Sequence, residues 1–233
     1  MNREIYIAHV AAIKLTVIMV LGLLVGCSNY SQQDSDILYV IEHAEFESSD
    51  ERLAASIDRL INTPEHIESE IVYQIISNRL SYDAIYELID VLASRSSAES
   101  DEALFQMLVK YNGNDVEEVL YQAAVPLNKP IDGGNTLLSR YLYRSISANS
   151  IAEYRAVALA TLFAENMQYY YKTINYIAEH TSQSQVINAL DVAAIQIEPS
   201  SAKLIYLAML KNSNSEFTDL ANTRLDELRS MAD

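Results

Sequence analysis

From Ile37 to Leu228 the apolar residues recur at helical spacing, and little in the chain can interrupt them. Ile37, Leu38, Ile41 and Ala44 form one such stripe. Leu53, Ile57, Leu60 and Ile61 form the next, and Ile71, Ile75, Ile76 and Leu80 another. Ile85, Leu88, Ile89 and Leu92 continue it, and the pattern runs on through Leu104–Leu108, Leu137–Leu142, Ile174–Ala178 and Leu204–Ala208 to Phe217–Leu228. No comparable stretch alternates with period two, so strands are not expected. Five Gly and four Pro in 233 residues are about a third of average usage. That is too few turn formers for a sandwich or barrel, and too few glycines for a backbone cradle around phosphate. Half the residues are hydrophobic, enough to bury a core.

The spacing predicts about twelve helices of roughly 10–18 residues joined by short links. Ser48-x-x-Glu51, Ser150-x-x-Glu153 and Ser213-x-x-Glu216 read as capping boxes. Thr63-Pro64 and Glu198-Pro199 read as N-cap followed by proline at the first helical position. Asn112-Gly113 reads as a helix end with a left-handed residue. The clearest loop is Val125–Asn135, with Gly133 and Gly134 inside it. It divides an acidic helical region, 34–125, from a second helical region, 136–233, although 34–233 as one continuous domain stays open.

Helices joined by short links pack antiparallel. Segments beginning at Tyr154, Val186 and Phe217 are 32 and 31 residues apart, and such a period in an all-helical chain points to stacked hairpins. Residues 150–230 resemble HEAT-like repeats in this respect. The tetratricopeptide pattern shares the period, but its Gly and paired aromatic positions do not occur here. The expected fold is all-α, a short α-solenoid of antiparallel helix hairpins, with an irregular helical bundle as the alternative.

The N-terminus is of another kind. Arg3 and Lys14 precede an apolar run from Leu15 to Leu24, followed by Val25, Gly26 and Cys27. Ten apolar residues span about 15 Å as helix, short of a roughly 30 Å bilayer core. A basic start, a short apolar run and a small residue before a break fit a signal peptide. Leu24-Val25-Gly26-Cys27 resembles the lipobox of bacterial lipoproteins, and Cys27 is the one Cys of the chain. The resemblance implies a signal peptide over 1–26, with Cys27 acylated and 27–33 a lipidated tether. Ser28 after Cys27 is similar to the outer-membrane sorting signal, so the expected place is the cell envelope, lipid-anchored, facing the periplasm. The implied chain then has no free thiol for a disulfide, a nucleophile or a metal.

The net charge is −16, which argues against a nucleic-acid partner. It is uneven: residues 34–118 carry 20 acids and 5 bases, whereas 119–233 carry 11 and 9. The acids are either solvated outer helix faces, or a docking surface for a basic partner or a loose binder of divalent cations.

No site for chemistry stands out. His43, His66 and His180 form no H-x-x-x-H or H-E-x-x-H pair, and no G-x-S-x-G, phosphate-binding loop or dinucleotide fingerprint occurs. Catalytic residues, metal and cofactor are therefore expected to be none. The distinctive residue is Tyr, 16 of them with no Trp. Tyr169 and Tyr176, seven apart on one predicted helix beside Lys172, form one aromatic–basic candidate. Tyr141 and Tyr143, beside Arg140 and Arg144, form a second. Such rings either make contact surface at low entropy cost or cap the core edge with the hydroxyl in water. The expected function is a membrane-tethered, non-catalytic scaffold for a protein partner. An immunity or inhibitor lipoprotein, and an envelope hydrolase or ligand binder with a pocket between helices, remain as alternatives.

Overall fold

A computed structural model describes residues 31–44, 50–131 and 133–231. The expected signal peptide over 1–26, Cys27, Ser28 and Ser48 lie outside the described residues. Within them the chain forms twelve α-helices and one two-residue ladder. The first six helices are α1 (Gln32–His43), α2 (Glu51–Asn62), α3 (Glu68–Ser77), α4 (Tyr82–Arg95), α5 (Ala98–Lys110) and α6 (Val116–Ala124). After β1 (Pro130–Ile131) and β2 (Asn135–Thr136), an antiparallel pair, come α7 (Leu137–Ser147) and α8 (Glu153–Thr161). A 3-10 segment (Ala164–Tyr169) leads to α9 (Tyr171–His180), α10 (Ser184–Ile195), α11 (Pro199–Met209) and α12 (Ser215–Ser230).

The packing is that of a two-row stack. From α2 onward, most helices pack on neighbours one or two places along the chain. The row α2, α4, α6, α8, α10, α12 is continuous through such second-neighbour contacts. Facing it, α3 packs on α5, α7 on α9 and α9 on α11, and Phe105 of α5 stacks on Tyr141 of α7 at 4.9 Å. Only α1 departs, lying on α2 and α4. The helices α8, α10 and α12 start at Glu153, Ser184 and Ser215, 31 residues apart. The same interval separates Glu51 of α2 from Tyr82 of α4. One apolar cluster runs through the stack from Ile37 to Leu225, with Leu60, Leu88, Leu104, Leu142, Ile174 and Phe217 fully buried. Each stripe read from the sequence supplies part of it, because a helix in this arrangement buries one face against two neighbours.

Polar side chains tie one helix end to a later helix. The guanidinium of Arg95, at the end of α4, donates to the carbonyls of Leu60, Thr63 and Glu65 and to the Glu68 carboxylate. It thereby satisfies carbonyls left open at the end of α2. Arg155 of α8 does the same for Leu108 and Val109 of α5, and Asn212 for Ala178 and Thr181 at the end of α9.

Several helix starts differ from the sequence reading. The caps of α2 and α12 are Asp50 and Asn214, which accept from backbone N–H groups of the first turn. Asx side chains compete well with Ser for that role. At α8 the N-cap is Ala152 with no side-chain bond. There the Ser150 hydroxyl donates to the Ser145 carbonyl, and Glu153 accepts from Thr181 instead. Thr63 ends α2 rather than opening a helix, and Pro64 sits in the link before α3. Glu198-Pro199 does open α11. The helix ending before Asn112 closes at Lys110, and the left-handed residue is Asp115 (φ 50°), not Gly113. Gly113 is small for a different reason: a Cβ there would fall 2.5 Å from the Tyr111 hydroxyl, which donates to the Asn114 carbonyl. A Ser31–Asp34 capping box starts α1 at Gln32, so helix begins inside the span 27–33 expected to be a tether.

Candidate functional site: an aromatic and cationic face on α7, α9 and α11

Along α7, the residues Leu138, Leu142 and Ile146 are buried, which turns Arg140 and Arg144 to solvent. Tyr143 and Tyr141 occupy the two flanks, both half-buried. On α9, burial of Ile174, Ile177 and Ala178 leaves Lys172, Tyr176 and His180 outside. On α11, burial of Ala202, Ile205 and Met209 leaves Lys203 and Leu207 outside.

Three of the five predicted contact residues meet. The Lys172 ammonium lies 4.0 Å from the centre of the Tyr143 ring. Tyr143 meets Tyr176 edge to face, with centroids 6.2 Å apart. Tyr176 in turn stacks on His180 at 4.6 Å. An exposed cation–π contact contributes about 0.5–1 kcal/mol. Its main effect here is to hold a ladder of rings and charge in one geometry.

The other two residues stand apart. Tyr141 turns the opposite way and stacks on Phe105. Burial raises its hydroxyl pKa, with Glu102 and Asp101 adding to the effect. Tyr169 does not share a helix face with Tyr176. It lies in the 3-10 segment before α9 and packs, half-buried, against the core. Tyr170, Ile174 and Ile177 are fully buried. The Tyr170 hydroxyl donates to Asn128 at 2.5 Å, and burial pushes its pKa up to about 12.

Charge is sorted between the rows. α7 and α11 contain no Asp or Glu, and the Glu179 carboxylate of α9 is held by Lys211 at 2.6 Å. Among the described residues, Arg140, Arg144, Lys172 and Lys203 make no ion pair. On the opposite row the cations are engaged: Arg59 with Asp36, Arg95 with Glu68, Arg224 with Asp191 and Glu227. The near-neutral second half is thus one cationic face and one acidic one. His180, Lys203 and Leu207 were not singled out from the sequence. The available signal was the repeat itself, since Arg140, Lys172 and Lys203 are 32 and 31 residues apart.

Two apolar grooves complete the surface. One, about 750 Å³ between α3 and α5, has Val72, Tyr73, Ile76 and Ala103 in its wall and Glu102 and Lys110 among its polar residues. The other lies on the opposite row, over Leu120, Leu159, Leu162 and Val192. On α4, the Glu87 carboxyl is pushed up in pKa by burial and by the charges of Asp90 and Asp83. Among the described residues, no cluster of His, Asp and Glu is placed to hold a metal ion, and no helix is long and apolar enough to cross a membrane. Compared with protein-family models, with curated proteins and with solved structures, the chain matches none.

Proposed function

We propose that this protein is a membrane-tethered, non-catalytic lipoprotein of the bacterial envelope that serves as a protein-interaction scaffold. The observation that carries the reading is the Tyr143–Lys172–Tyr176–His180 ladder, at the surface of two helices that pack together in one row, with Tyr143 half-buried and the other three exposed. Tyr side chains are enriched where proteins bind proteins, because they offer area and a hydrogen-bonding hydroxyl at low entropy cost. Stacked helix pairs commonly supply an extended surface for that purpose. The tether rests on Leu24-Val25-Gly26-Cys27, and the outer membrane on Ser28. Because α1 begins at Gln32, few residues separate Cys27 from the stack, which would hold the folded part near the membrane.

Two measurements test this. Metabolic labelling with a fatty acid should mark the wild type and not Cys27→Ser; equal labelling of both removes the anchor. Chemical cross-linking in the native envelope, followed by pull-down, should recover a protein whose yield falls in Tyr143→Ala/Tyr176→Ala. An unchanged yield removes the scaffold face.

A further inference from the structure

We infer that the outer face of α7, α9 and α11 docks an extended acidic segment of a partner protein, with carboxylates spaced about three residues apart. The inference rests on the scaffold reading above and names the partner's chemistry. Arg140, Lys172 and Lys203 recur at the helix repeat, one on each successive helix of this row. All three are exposed and unpaired by any acid among the described residues. Helices in contact lie about 8–10 Å apart, so the three cations form a rank with steps of about that size. An extended chain in the polyproline II form rises about 3.1 Å per residue with three residues per turn, so every third side chain returns to the same face about 9 Å on. Carboxylates at every third position therefore keep step with the rank, and a segment of about seven residues covers it. Arg144 and the Tyr143–Tyr176 pair flank it and offer a bidentate donor and ring faces.

The chain's own composition sharpens the point. With twice as many acids as bases, solvated cations left without acids on three adjacent helices are not a product of average usage. An acidic partner would be steered towards this face, because the net charge of the chain as a whole is negative. Leu204 and Leu207 lie exposed beside Lys203, so a lipid surface is the competing occupant, and the test separates the two.

The test uses the full-length lipoprotein in its native envelope, with a photo-crosslinking phenylalanine analogue in place of Tyr176. The cross-linked peptide is sequenced by mass spectrometry. The expected product is a protein segment with at least three acidic residues in about nine. Its yield should fall about tenfold in Arg140→Glu/Lys203→Glu, and similarly between about 0.05 and 0.5 M salt. Arg79→Glu, on the link before α4, should leave it unchanged, and circular dichroism should show all variants equally helical. A neutral or basic segment, or a yield indifferent to salt and to charge reversal, overturns the acidic assignment and leaves the scaffold reading standing. A lipid adduct, or a product joining two copies of this chain, overturns the assignment to a separate acidic partner. No product at all overturns the scaffold reading and this inference together.

Discussion

Replacing Arg95 by Met should destabilise the protein far more than the loss of one ion pair implies. The guanidinium and its Glu68 partner are both under 10% exposed. The contact at 2.9 Å to Glu68 is accompanied by bonds to the Leu60 carbonyl at 2.6 Å and the Thr63 carbonyl at 3.0 Å. Removing one member of a buried pair leaves the other charged and unsolvated, at a cost of about 3–5 kcal/mol. The carbonyls at the end of α2 also lose their donor. With a urea slope of about 2 kcal/mol per molar, a loss of about 4 kcal/mol moves the unfolding midpoint down by about 2 M. Glu68→Gln alone should cost less, because Arg95 keeps its carbonyl partners. Arg95→Met/Glu68→Gln should recover part of the loss, giving a coupling of about 2 kcal/mol. Urea titration followed by circular dichroism measures all three. A loss under about 1 kcal/mol for Arg95→Met, or strict additivity in the double variant, would show that this guanidinium does not knit α2, α3 and α4 together.

Tyr170→Phe removes the donor to Asn128 while keeping the ring, and should cost about 1–3 kcal/mol in the same urea assay. The pH dependence of stability has two opposed parts. Asp36, whose pKa is lowered chiefly by the Arg59 hydrogen bond, contributes stability that is present above about pH 4 and lost as pH falls further. Asp191 acts in the same sense, since its bonds from Arg224 and Tyr206 outweigh the opposing effect of burial. Asp36→Asn/Asp191→Asn should therefore flatten the acid limb of a thermal-melt series. Glu87 has the opposite sign: its raised pKa means the ionised form is strained in the folded chain, and the penalty vanishes as pH falls. Glu87→Gln should raise the melting temperature at pH 7, and the gain should shrink towards pH 4.

The sequence made the helices legible because their apolar stripes are regular: Leu88, Leu104 and Ile174 are each buried where the spacing places them. Starts were less legible. Ser, Asp and Asn all accept the same first-turn N–H groups, so Asp50 and Asn214 took positions that the Ser-x-x-Glu pattern assigned two residues or one residue earlier. Thr63-Pro64 misled because proline suits a link as well as a first helical turn. The aromatic face was half legible. Tyr143, Lys172 and Tyr176 could be named, but their meeting depends on which flank of α7 faces α9, and helical spacing within one segment does not carry that. Tyr169 was placed on the wrong element because the 3-10 segment keeps a near-helical apolar spacing up to Tyr170.

The central claim is that the outer face of α7, α9 and α11 is covered by a protein in the envelope, and lysine footprinting tests it most directly. Lysines are acetylated in intact envelopes and in the purified protein, and the rates are compared site by site. The account predicts that Lys172 and Lys203 react at least about fivefold more slowly in the envelope, as residues at an interface core do, while Lys129, on the connection before β1, reacts equally in both. Equal rates at Lys172 and Lys203 in the two preparations would contradict it.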